Sequence, residues 1–198
     1  MKHHNVAQLV QNAYANSNED FGKWMWENHL QLVARKAEEL AQNHNANVDL
    51  AVAGAWLHDF GDAFVHRHSQ LHDQISALEA QKVLEEAGYA KAEITEVLEI
   101  IIKPHSCKDG SFPTTVEGKI LATADAYAHL MTDFYLQFTW KHLPDNKSYL
   151  EFIDWVREKL RRDFNDKIFF EEVSQAVASR YESLLEVYTT QNSSNLPR

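Results

Sequence analysis

One cysteine, four prolines and six glycines in 198 residues leave this chain with little of what marks several fold classes. Cys107 alone permits no internal disulfide, which excludes a stapled secreted scaffold and makes the cytoplasm the expectation. So few breakers sit poorly with a β-sandwich or barrel, where a turn is needed every ten residues or so, and helices are favoured instead. Long hydrophobic runs are missing too. The longest, around 51–57 and 100–102, fall far short of the roughly 20 residues that span a bilayer. Gln8, Gln11 and Asn12 interrupt the start before an apolar signal-peptide core forms, so no membrane role is expected. Positive charge is scarce: 19 Lys and Arg face 29 Asp and Glu, for a net charge of −10. That argues against a broad phosphate-tracking surface for duplex nucleic acid. A small anionic substrate stays compatible if the positive charge is local, as a bound metal ion would make it.

What is present is globular: 44% hydrophobic and 24% charged residues, enough for one domain with a full core. Period-3.6 patterns predict helices at roughly 6–16, 21–43, 48–59, 69–87, 91–102, 116–139, 147–165 and 169–189. Gly88 stands where a helix-ending glycine belongs, and Thr114 with Glu117 has capping-box spacing. Residues 104–113, containing Asp109-Gly110, read as a loop. The expectation is a single-domain all-α bundle over 1–190, with a motif core at about 24–130, C-terminal helices at 147–189 and a flexible tail at 191–198.

Two helices read unusually. Residues 48–57 are apolar almost all round, as in a helix buried mid-domain, yet they end in His58-Asp59, which need partners there. In 120–128, Asp125 sits among four alanines that admit a neighbouring helix closely, and such a carboxylate wants a cation. By contrast, Arg157, Lys159, Arg161 and Arg162 in 147–165 read as the solvated face of a packed helix.

Eleven histidines are an excess. Two of them precede Asp, in His58-Asp59 and His72-Asp73, but composition alone supplies about one such pair by chance. Position says more. Trp26, Leu30, Val33, Ala37 and Leu40 form an apolar stripe, and His29 lies on its edge, facing inward. Imidazoles and carboxylates held on three helices suit a divalent ion such as Mn²⁺, Fe²⁺, Ni²⁺ or Zn²⁺ in an open site. Taken singly, His29 reads equally as a hydrogen-bonded core histidine and Asp125 as an ordinary helix carboxylate.

The order His29, His58-Asp59, Asp125 resembles the H…HD…D signature of the HD-domain metal-dependent phosphohydrolase superfamily. Flanking segments are similar as well: Asn28 to Arg35, Ala55 to Asp62, His72 with Ser76-Ala77, and Glu117 to Ala126. The resemblance covers about 24–130. It implies an HD-type helical bundle in which His29, His58, Asp59 and Asp125 hold a divalent ion (Mn²⁺, Fe²⁺, Ni²⁺, Zn²⁺ or Mg²⁺), with Asp59 at the catalytic centre. It also implies water attack on a phosphoester or phosphoanhydride of a nucleotide or similar small phosphorylated metabolite. A second ion would recruit His72 and His105; otherwise these two contact substrate phosphate. Asp62 is the candidate for proton transfer, while Ala63 stands where hydrolases of the alarmone ppGpp carry a second acid, against that substrate. Lys103, Lys119 and Arg35 are the cations nearest the motifs and the candidates for phosphate binding. Trp24, Trp26, Trp56 and Tyr127 could stack a base, though core packing is their simpler use. His66, His68, His129 and His142 read as surface residues. Two other classes remain open: a di-iron oxygenase, and a non-catalytic metal- or nucleotide-binding regulatory module.

Overall fold

A computed structural model describes residues 1–137 and 148–189; His142, the end of the 116–139 helix and the 191–198 tail lie outside the described residues. The elements are α1 (Lys2–Ala15), α2 (Asp20–Met25), α3 (Gln31–Asn43), α4 (Val48–Leu57), α5 (His72–Glu86), α6 (Lys91–Thr95), α7 (Val116–Met131), α8 (Tyr149–Asn165) and α9 (Glu171–Val187). The all-α expectation holds, with no strand among the described residues. Among the described residues, no helix is long and apolar enough to cross a membrane.

Asn47 starts α4, its side-chain oxygen accepting from the Leu50 amide at 3.2 Å. From there α4 runs through the centre, against α1, α3, α7 and the segment after α6. Gly54 allows the last of these contacts, since a Cβ there would meet Ile101 Cγ2 at 2.8 Å. The alanines of α7 work the same way: Ala122, Ala124, Ala126 and Ala128 are fully buried, and α3, α4 and α9 close around them. Gly88 ends α5 at φ +81° as its position suggests, with the Tyr89 amide returning to the Leu84 carbonyl at 3.0 Å. The cap of α7 falls one residue later than the spacing suggests. Thr115, not Thr114, accepts from the Gly118 amide, and Glu117 instead receives the Asn47 amide at 2.9 Å.

Two predicted helices contain a wider turn. Residues 21–43 divide into α2, a π segment Trp26–Leu30 and α3; residues 91–102 divide into α6 and a π segment Glu96–Ile102. The extra residue shifts the helical phase, so Met25 replaces Trp26 in the core, and Trp26 stacks on Trp56 with ring centroids 5.5 Å apart. His29 lies within the first π segment and is fully buried, and such insertions recur where helices carry functional side chains. The 116–139 prediction breaks as well: α7 stops at Met131, and helix resumes at 134–137. That break turns Phe134 and Tyr135 into a second core, with Phe152, Val156 and Leu160 of α8 and Val177 of α9. The first core lies among α1, α3, α4 and α7.

Candidate metal centre

Three helices deliver the predicted set to one place. His29 comes from the π segment before α3, His58-Asp59 from the exit of α4, and Asp125 from the middle of α7. His29 is fully buried and Asp125 only 2% exposed. His29 Nε2 lies 3.3 Å from His58 Nε2 and 3.1 Å from Asp125 Oδ1. His58 Nε2 lies 3.5 Å from both Asp125 Oδ1 and Asp59 Oδ2. His29, His58 and Asp59 form one group that could hold an ion, and Asp125 Oδ1 lies beside both imidazoles of that group.

Hydrogen bonding fits this use. His58 Nδ1 donates to the Ala55 carbonyl at 2.9 Å, which leaves the Nε2 lone pair free for a cation. Asp125 Oδ2 receives the Lys167 ammonium, while Oδ1, buried and ringed by imidazole nitrogens, accepts no hydrogen bond. A buried carboxylate oxygen in that state is costly without a cation, so the residues present fit a divalent ion. Burial pushes the His29 imidazole down toward its neutral, ligating form. For His58 the Asp59 and Asp125 carboxylates outweigh burial and raise its pKa, the same demand for positive charge that an ion meets. His105 joins from the loop after the second π segment, grouped with His58 and Asp125, and burial pushes it down to about 4.

In front of Asp59 stands an arginine that the sequence reading did not select. Arg67 bridges the two carboxylates of the HD turn, Nη1 to Asp62 Oδ2 and Nη2 to Asp59 Oδ2 at 2.7 Å. Against burial, it and His58 hold the Asp59 carboxyl well below the usual range. Asp62, the residue expected to transfer a proton, has both carboxylate oxygens engaged. Its Oδ1 is taken by His72 Nε2 at 3.0 Å and its Oδ2 by Arg67, and it lies behind the cleft wall as a brace for both. The Asp62 hydrogen bond in turn raises the pKa of His72, which does face the cleft. Gly61 makes room for that ring, since a Cβ there would meet His72 Nε2 at 2.9 Å.

Behind the centre two expectations are overturned. His129 is not a surface residue: it is 4% exposed, its Nε2 lies 3.2 Å from Asp125 Oδ1, and its ring stacks on His29 at 5.0 Å. Nor is the charged face of α8 wholly solvated. Lys159 and Asp163 are buried, as is Lys167 just beyond the helix. Asp163 Oδ2 accepts from Tyr135 Oη at 2.5 Å and Lys159 Nζ at 2.8 Å, and pairs with His129 Nδ1 at 3.0 Å. His66 and His68 are exposed, as expected.

The centre forms the floor of an 830 Å³ cavity walled by the 67–77 and 98–108 segments and by α8. Six cations line it, Arg67, Lys103, Lys108, Lys159, Arg162 and Lys167, against the four carboxylates of Asp59, Asp73, Glu99 and Asp125. In a chain of net charge −10 the cavity surface itself is thus not acidic, although Asp62 and Asp163 stand behind it as partners of Arg67 and Lys159. Of the expected phosphate contacts, His72, His105 and Lys103 reach the cavity, Lys103 paired with Glu99 at 2.6 Å. Arg35 and Lys119 do not. Arg35 is exposed and donates to the Gln31 carbonyl, while the Lys119 ammonium lies over the Phe169 ring at 5.9 Å. The aromatic lining is Phe134 and Trp155, while Trp24, Trp26, Trp56 and Tyr127 pack against the core.

Helical fold and donor set together define a protein built around a His/Asp centre for a divalent metal. The family model of the HD domain matches residues 26–130, just over half the chain, and the chain belongs to that family. Comparison with curated proteins and with solved structures gives no match.

Proposed function

We propose that this protein hydrolyses a phosphoester or phosphoanhydride of a small phosphorylated metabolite, nucleotides being the first class to test. The observation that supports this reading is that His58, Asp59 and Asp125, members of His/Asp groups able to hold a metal, line a cavity with more cations than carboxylates, with His29 packed behind them. An ion held by these four supplies acidified water near neutral pH and screens phosphoryl oxygens. The protein supplies the rest. Arg67, Lys108 and Arg162 offer charged N–H groups to the phosphoryl oxygens, Arg67 in forked geometry already fixed by Asp59 and Asp62. His72, kept protonated to higher pH by Asp62, is placed to give a proton to the leaving oxygen. A cavity of 830 Å³ is in the size range of small-molecule sites.

The oxygenase alternative needs His72 and His105 around a second ion. His72 Nε2 is bound to Asp62, and among the described residues no potential ligand group includes it, which favours hydrolysis. The test is metal analysis of the purified protein, then a phosphate-release screen over nucleotides with Mn²⁺. Turnover that Asp59→Ala abolishes is the expected result. Two irons per chain with oxygen consumption, or no phosphate release from any nucleotide, would overturn the reading.

A further inference from the structure

His129 stands one helical turn after Asp125 on α7, so both side chains leave the same face of the helix. Its Nε2 is buried, has no hydrogen-bond partner, and lies 3.2 Å from the equally unpartnered Asp125 Oδ1. With His29 and Asp125 it forms a group whose ligand atoms all lie within 4.8 Å of one another.

The other ring nitrogen settles the tautomer. If Lys159, 3.2 Å from Nδ1, donated to that nitrogen, the ring proton would sit on Nε2, buried and without an acceptor in hydrogen-bonding geometry. If Nδ1–H instead donates to Asp163 at 3.0 Å, Lys159 keeps its own bond to Asp163 at 2.8 Å and the Nε2 lone pair is free. A carboxylate behind an imidazole whose far nitrogen is bare is the arrangement that orients metal-binding histidines.

We propose that His129 is a further ligand of the divalent ion, through Nε2, with Asp163 as the positioning residue that fixes its tautomer; this rests on reading the cluster as a metal centre. A third imidazole moves the site away from the oxygen-rich environment suited to Mg²⁺ and toward ions such as Zn²⁺, Fe²⁺ or Ni²⁺.

The test is a Zn²⁺ titration of the full chain with ¹⁵N-labelled histidine, following ring nitrogens by long-range ¹H–¹⁵N correlation. The expected result is that Nε2 of His29, His58 and His129 shift together at stoichiometric Zn²⁺. If His29 and His58 respond while His129 stays at its metal-free position at saturation, the assignment is wrong and the metal centre stands. If none responds, both fall. In His129→Gln, with folding checked by circular dichroism, chelator competition should show Zn²⁺ binding weakened by at least the roughly 10–100-fold that loss of an outer-sphere partner costs. The loss for Mg²⁺ should be smaller. Equal losses for the two ions, or no loss, would also overturn the assignment.

Discussion

Two buried charge clusters flank the His/Asp centre, and they are built differently. In front, Arg67 joins Asp59 and Asp62, and His72 completes the set; the Arg67 side chain is 22% exposed and the group opens on the cavity. Behind, Asp125 and Asp163 meet Lys159 and Lys167, with Tyr135 and His129 both bonded to Asp163 Oδ2, and Asp163 is fully buried. The rear cluster balances two carboxylates with two ammonium groups and is more deeply buried, with Asp163 fully enclosed although Lys159 and Lys167 reach the cavity wall. The front one presents Arg67 to the cavity. One reads as scaffold; the other, open to the cavity, is the working face under the proposed function.

That contrast is sharpest in stability. Asp163→Ala removes the buried partner of Lys159, His129 and the Tyr135 hydroxyl, and breaking a buried ion pair from one side costs about 3–5 kcal/mol. Urea denaturation should show a loss of that size. Arg67→Met removes a comparable set of bonds, yet water from the cavity can reach the carboxylates left behind. Its loss should be about 1.5–3 kcal/mol, in the range of hydrogen bonds to charged groups, with the larger effect on turnover. If Arg67→Met proves the more damaging to stability, the division into scaffold and working face is wrong.

A gentler probe of the front is the protonation of His72. The Asp62 hydrogen bond raises its pKa above the ordinary 6.5. A raised folded-state value means the imidazolium–carboxylate pair contributes fully below about pH 6.5 and is lost as pH rises through the folded pKa. An NMR titration should place the His72 midpoint above 6.5, and Asp62→Asn should lower it. A midpoint unmoved by Asp62→Asn would break the assignment of Asp62 as the brace.

The two clusters also differ in how far the sequence announces them. His29, His58, Asp59 and Asp125 were legible because helical period and a short motif place them locally: on a stripe edge, at the end of an apolar helix, and among alanines. Arg67 was not, since it lies in a loop between the exposed His66 and His68, where no period constrains it. Asp163 and Lys167 are 38 and 42 residues beyond Asp125, and only tertiary packing brings them to it. A signal existed nonetheless. Lys159 and Asp163 interleave with Phe152, Val156 and Leu160 on the apolar stripe of α8, and charges on the buried face of a helix need partners. The π segments were invisible for a different reason. One extra residue per turn leaves the hydrophobic count unchanged and alters only the phase, so Met25 rather than Trp26 faces the core.

The smallest expected effects come from the cations chosen by proximity in sequence. Arg35 and Lys119 neighbour the motifs along the chain but stay out of the cavity, whereas Lys108 lines it and forms no ion pair among the described residues. Alanine at Arg35 or Lys119 should change stability by no more than about 0.5 kcal/mol, as for surface positions generally, and leave phosphate release as it was. Lys108→Ala should be equally harmless to the fold, because an exposed, unpaired ammonium contributes no internal bond. It should lower kcat/KM for a phosphorylated substrate, since a charge facing the anion is removed from the wall. Steady-state kinetics of the three variants compare nearness along the chain with nearness in space. Turnover that follows Lys119 and ignores Lys108 would place the substrate elsewhere than above the His/Asp centre.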